Sequence, residues 1–82
     1  MKEIIKKYVD NLSKKDIIDF SNKEKIPLNN KEIDVIFNTI KNDYNILIDG
    51  DAEIIFLKLK EEINEDAFFK IFDLYKKYKN FI

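Results

Sequence analysis

A chain of 82 residues with a net charge of −1 has room for one domain, and its 45% apolar content, with seven Phe and four Tyr, suffices for a folded core. The absence of Cys and His excludes disulfides, thiolate metal sites, cysteine nucleophiles, the usual base near neutral pH and the commonest zinc ligand. One Gly and one Pro are too few for the turns of a β-rich fold. The expected class is therefore all-α: a compact bundle of four to five short helices, with residues 1–82 as a single helical domain.

The first helix is expected from about Lys2 to Asn11, where Ile4, Ile5, Tyr8, Val9 and Leu12 recur as one apolar face. Ser13 then reads as an N-cap with Asp16 three residues on, and Leu12 and Ile17 have the spacing of a hydrophobic staple. Asp stands where a capping box usually has Glu or Gln, so the spacing leaves the reciprocal bond open. The second helix spans about Lys14 to Lys23, with Ile17, Ile18 and Phe20 facing inward.

Ile26-Pro27-Leu28 is a break, because the residue before proline is pushed out of helical geometry. Asn29 or Asn30 caps a third helix from about Lys31 to Asn42, with Ile33, Ile36, Phe37, Ile40 and Tyr44 as its stripe. Its outward side would show Lys31, Glu32, Asp34, Asn38 and Lys41. From Asn42 to Gly50 the short β-prone run Asn45-Ile46-Leu47-Ile48 reads as a buried loop or one isolated strand, and with no ladder partner the extended loop that packs Ile46 and Ile48 is favoured.

Asp49 or Asp51 caps a fourth helix, about Ala52 to Ile63. Ala52, Ile55, Phe56, Leu59 and Ile63 form its main face, and Ile54 and Leu57 lie off it. Asn64 caps a fifth helix from Glu65 to about Asn80, whose acidic start and Lys76, Lys77 and Lys79 near its end suit the helix dipole. Phe68, Ile71, Phe72, Tyr75 and Tyr78 share one face; Phe69 and Leu74 fall outside it.

Leu12-Ser13-Lys14-Lys15-Asp16-Ile17-Ile18 followed by Ile26-Pro27-Leu28-Asn29-Asn30-Lys31-Glu32, with Asn45-Ile46 further on, resembles a small family of uncharacterised helical proteins of Gram-positive bacteria, a domain of unknown function. The likeness spans most of the chain. It consists of helix caps and breaks, so what it implies is a fold and no site.

Candidate chemistry is sparse. Asp49-Gly50-Asp51, with Asp43 and Glu53 nearby, lacks EF-hand spacing because Ile46, Leu47 and Ile48 occupy the preceding positions, and it reads as a turn and a helix cap. Glu61, Glu62, Glu65 and Asp66 read as a solvated helix junction. No pair among the 16 acids stands out for acid–base work. No catalytic, cofactor-binding or metal-binding residue is expected, and the chain is read as not an enzyme.

All 15 basic residues are Lys, and with 15 Ile and 9 Asn this bias matches AT-rich codons rather than selection for phosphate binding. The candidate basic patch is Lys70, Lys76, Lys77 and Lys79, interleaved with aromatics on the last helix. The mixed outward side of the third helix makes it a poor DNA reader, and nucleic acid is not the expected partner.

No uninterrupted apolar run approaches the ~18–20 residues of a membrane span. Met1 to Leu12 carries Glu3 and Asp10 in place of a continuous apolar signal core. A cytoplasmic protein without a membrane partner is expected.

The apolar surplus points elsewhere. Ile54, Leu57, Phe69 and Leu74 are the candidate partner surface, for an unknown protein or a homodimer, since so small a bundle has little room to bury them all. The leading expectation is a protein-interaction module, self-association included. The alternatives are a nucleic-acid accessory protein using the lysine-rich last helix, or a small acidic inhibitor or immunity-type protein.

Overall fold

The computed structural model describes residues 2–79. Five helices follow one another: α1 Lys2–Asp10, α2 Lys14–Lys23, α3 Asn30–Asp49, α4 Ala52–Lys60 and α5 Glu65–Lys79. No strand occurs among the described residues. The chain is an all-α bundle. The expected contributions of the Ile5, Tyr78 and Lys79 side chains, and of Asn80, lie outside the described residues.

The long α3 is the spine. α1, α2 and α4 pack against it, and α5 packs on α4. The core runs through Ile17 of α2, Ile33 and Ile36 of α3, Ala52, Phe56 and Leu59 of α4, and Ala67 and Phe68 of α5. Ile26 and Ile63, in the two turns, close its ends. Burial of the Ile, Leu and Phe side chains among them, each worth about 1.5–3 kcal/mol on transfer from water, is what makes such short helices persist.

Local signals set the helix starts. Asp16 completes the capping box of α2: Ser13 Oγ accepts from the Asp16 N–H at 3.3 Å, and Asp16 Oδ2 accepts from the Ser13 N–H at 2.9 Å. The short Asp side chain therefore closes the reciprocal bond that its length left open. Those Ser13 bonds hold the Asp16 carboxyl below its ordinary range. Asn29, rather than Asn30, caps α3, and its side-chain oxygen accepts from the Glu32 N–H at 2.8 Å.

α2 ends in a Schellman turn. The Ile26 N–H reaches the Ser21 carbonyl at 2.8 Å and the Lys25 N–H reaches that of Asn22 at 3.3 Å. The turn puts Lys25 at φ 57°, the left-handed region that favours Gly.

Glu32 is the principal correction. Expected on the outward side of α3, it is only 7% exposed. Its Oε1 accepts from the Asn29 N–H at 3.0 Å. Its Oε2 accepts from the Asn64 Nδ2 at 3.0 Å and, in a short bond, from the Asn64 backbone N–H. Asn64 Nδ2 also donates to the Pro27 carbonyl at 3.0 Å, and Asn64 Oδ1 caps α5 by accepting from the Ala67 N–H at 2.8 Å. Burial alone would raise the carboxyl of Glu32, but the Asn29 and Asn64 donors outweigh it and hold it below its ordinary value.

The stretch Asn42–Gly50 also departs from expectation. It is helical up to Asp49, so there is no extended loop. The stripe of Ile33, Ile36 and Ile40 continues at helical spacing through Tyr44 and Leu47, and Leu47 packs against the core. The Tyr75 hydroxyl donates to the Leu47 carbonyl at 2.6 Å, which ties α5 to this last stretch of α3. Packing overrides the β propensity of Asn45-Ile46-Leu47-Ile48. α4 is shorter than expected, ending at Lys60.

Two faces bury less than their sequence suggests. Ile18, expected inward, is exposed. Among the described side chains of α1, Val9 is buried and Ile4 and Tyr8 face solvent. α1 is held at its C-terminal end, through Val9 and Leu12 and through a 3.0 Å bond from Lys41 Nζ to the Asp10 carbonyl.

Replacing Glu32 by Ala strands buried N–H donors and should cost about 3 kcal/mol by urea unfolding. Because the folded carboxyl titrates low, its stabilisation is complete above the ordinary carboxylate range, near 4.5, and is lost as pH falls through the lower folded value. Glu32→Gln should therefore flatten the decline in Tm as pH falls below the ordinary carboxylate range; an unchanged decline would mean that Glu32 is not the group responsible. At the α2 turn, Lys25→Gly should raise stability by about 1 kcal/mol in the same unfolding assay, since Gly reaches this backbone conformation without strain.

Candidate interaction surface

The site grows from the difference between the two faces of α4. Ala52, Ile55, Phe56 and Leu59 are buried on one face. The helical period then leaves Ile54 at 63% and Leu57 at 59% exposed on the other. α4 begins at a tight junction. A Cβ on Gly50 would lie 3.1 Å from both Cα and Cγ2 of Ile46, so a larger residue would require Ile46 to give by a few tenths of an ångström. Asp51 Oδ1 then caps α4 by accepting from the Glu53 N–H at 3.1 Å. Asp49-Gly50-Asp51 thus forms a junction and a cap. Among the described residues no three acids cluster in a way that could hold a metal ion.

α5 lays an aromatic wall beside α4. The Phe56 ring centre lies 5.0 Å from that of Phe72 in an edge arrangement, 4.8 Å from Tyr75 and 6.3 Å from Phe68. Phe68 stacks on Phe72 at 5.8 Å and 12°. Each such pair adds about 0.5–1.5 kcal/mol beyond its area. Phe69 follows Phe68 in sequence, so it turns about 100° away around the helix and stands 48% exposed at the edge of the wall.

Between α4 and α5 opens a groove of about 630 Å³, floored by Phe56, Phe72 and Tyr75 and edged by Leu57 and Phe69. Its rim is charged with both signs. Asp51 and Glu53 line it at the start of α4 and Lys60 at the end of α4, with Lys76 beside Tyr75 on α5. Lys76 Nζ lies 4.9 Å over the Phe72 ring and 3.7 Å from the Asp73 carboxylate, while Lys60 Nζ lies 5.9 Å over Phe68. The cations cover ring faces and leave the ring edges and Leu57 open. The groove offers apolar contact and charge register, and no group on its floor is suited to bond-making chemistry.

The four apolar candidates are thus divided. Leu57 and Phe69 meet at one groove, and Ile54 lies beside Leu57, one turn back along α4. Leu74 is half-buried and belongs to a separate depression of about 260 Å³ with Ile26, Glu24 and Lys70. The candidate lysines are divided too. Lys70 and Lys77 border the Leu74 depression, with Lys70 Nζ donating to the Lys25 carbonyl at 3.3 Å, whereas Lys76 faces the aromatic groove. The Lys79 side chain lies outside the described residues.

The groove floor escaped sequence reading because Phe56, Phe72 and Tyr75 were assigned to a closed core. The available signal was the density of aromatics, five between residues 56 and 75, which is more than two short helices enclose. Among the described residues no helix is long and apolar enough to cross a membrane. No protein-family model matches the chain, and neither the curated proteins nor the solved structures contain a match to it.

Proposed function

We propose that the chain is a non-enzymatic protein-interaction module of the cytoplasm, and that its working surface is the outward face of α4 with the α4–α5 groove. The observation that carries this reading is the pairing of exposed Leu57 and Phe69 at the edges of an aromatic-floored groove with charges of both signs along its rim. Contiguous apolar surface rimmed by charge is what protein interfaces present before they meet. Apolar contact at Leu57 and Phe69 would supply affinity, and Glu53, Lys60 and Lys76 would set the register of the partner. The lack of His and Cys supports binding over catalysis, since the usual neutral-pH base and the thiol nucleophile are both missing. The division of the lysines between two sides of α5 favours a protein over nucleic acid.

The test compares wild type with the Leu57→Asp/Phe69→Asp variant as bait for affinity capture from native lysate. These exposed positions should alter folding stability by less than about 1 kcal/mol, whereas Leu59→Ala in the core should cost about 2–5 kcal/mol. Proteins held by wild type should be missing from the double-variant capture. Recovery of the same set by both would refute this surface as the working one.

A further inference from the structure

We propose that α4 is the contact helix of a two-fold dimer of this chain, with its Ile54–Leu57 ridge packed antiparallel on the same ridge of a second copy. The inference rests on the interaction-module reading and names the occupant of that surface. Self-complementarity is the first ground. Glu53 and Lys60 are seven residues apart and so share the flank of the outward ridge that faces the groove. That flank carries its acid at the N-terminal end and its lysine at the C-terminal end. A two-fold axis between residues 55 and 56 sets Ile54 opposite Leu57 of the second copy. It also lays the acid end of this flank beside the lysine end of the same flank. Glu53 then meets Lys60, the pair occurring twice. The helix dipoles oppose one another in this arrangement. A parallel pairing would instead align the dipoles and set Glu53 on the far side from Lys60 of the second copy.

Surface area is the second ground. The chain exposes 6044 Å², whereas a monomer of 9.9 kDa is expected to expose about 5200 Å². Its radius of gyration, 12.1 Å, is close to the ~11.7 Å of a compact chain of this length. The surplus does not come from an extended overall shape, and the open face of α4 shares it with exposed Ile4 and Tyr8 of α1. At several hundred Å² it is of the order of the ~800 Å² that each partner buries in a standard interface.

Sedimentation equilibrium of the full chain over a concentration series tests the dimer. Wild type should be a reversible monomer–dimer system, and Leu57→Asp should be monomeric with an unchanged helical circular dichroism spectrum. Glu53→Lys and Lys60→Glu should each weaken the dimer by about tenfold, since each sets like charges together twice. The Glu53→Lys/Lys60→Glu double variant should recover wild-type affinity. An equal mixture of the two single variants should form a heterodimer tighter than either homodimer. A wild-type chain that stays monomeric at millimolar concentration, or a double variant no tighter than the singles, overturns the proposal. If such a monomer still captures proteins through Leu57 and Phe69, the dimer alone fails and the interaction-module reading stands.

Discussion

One carboxylate organises both ends of the core. Glu32 sits in the first turn of α3 and receives donors from Asn29 and from the backbone and side chain of Asn64. Asn64 in turn holds the Pro27 carbonyl and caps α5. The turn before α3 and the turn before α5 are thereby joined by charge-assisted bonds that few solvent molecules can contest. Two helix starts, each with its own Asn cap, are held together by a single anion. A negative charge at the N-terminal end of α3 is also favoured by the helix dipole.

This constraint fixes where α5 begins, and so which side chains it offers to α4. With Ala67 fully enclosed beside the Asn64 cap, Phe68 must enter the core and Phe69 must leave it. Phe72 and Tyr75 follow one and two turns later along the groove. The 2.6 Å bond from the Tyr75 hydroxyl to the Leu47 carbonyl then secures the far end of α5. The open aromatic wall is thus a geometric result of caps and bonds at both ends, and apolar burial alone would have closed it.

Much of the fold was legible because its signals are local. Ser13 with Asp16, the Ile26-Pro27-Leu28 break, the Asn29 cap and the Asn64 cap each act within a few residues, and the buried face of α4 follows a single period. The failures share a different cause. Glu32 looks like a solvated charge unless Asn64 is known to lie against it, and 32 residues separate the two. Asn45 to Ile48 looks extended until Leu47 is seen packed under α5. The apolar face of α1 is real in sequence, but how much of it finds a neighbour depends on where Lys41 and Val9 hold the helix. Ile54, Leu57 and Phe69 were readable as surplus; the separation of Leu74 from them required the positions of α2 and α5 together.

The order of packing also bears on how the chain reaches this state. α2 meets α3, α3 meets α4 and α4 meets α5 as successive neighbours, so most of the core assembles without closing long loops. Such low contact order belongs to chains that fold in microseconds to milliseconds. The Glu32–Asn64 knot joins two turns that neighbouring helices have already shaped. If it closes only after the transition state for folding, its strength sets how slowly the native bundle opens rather than how quickly it forms.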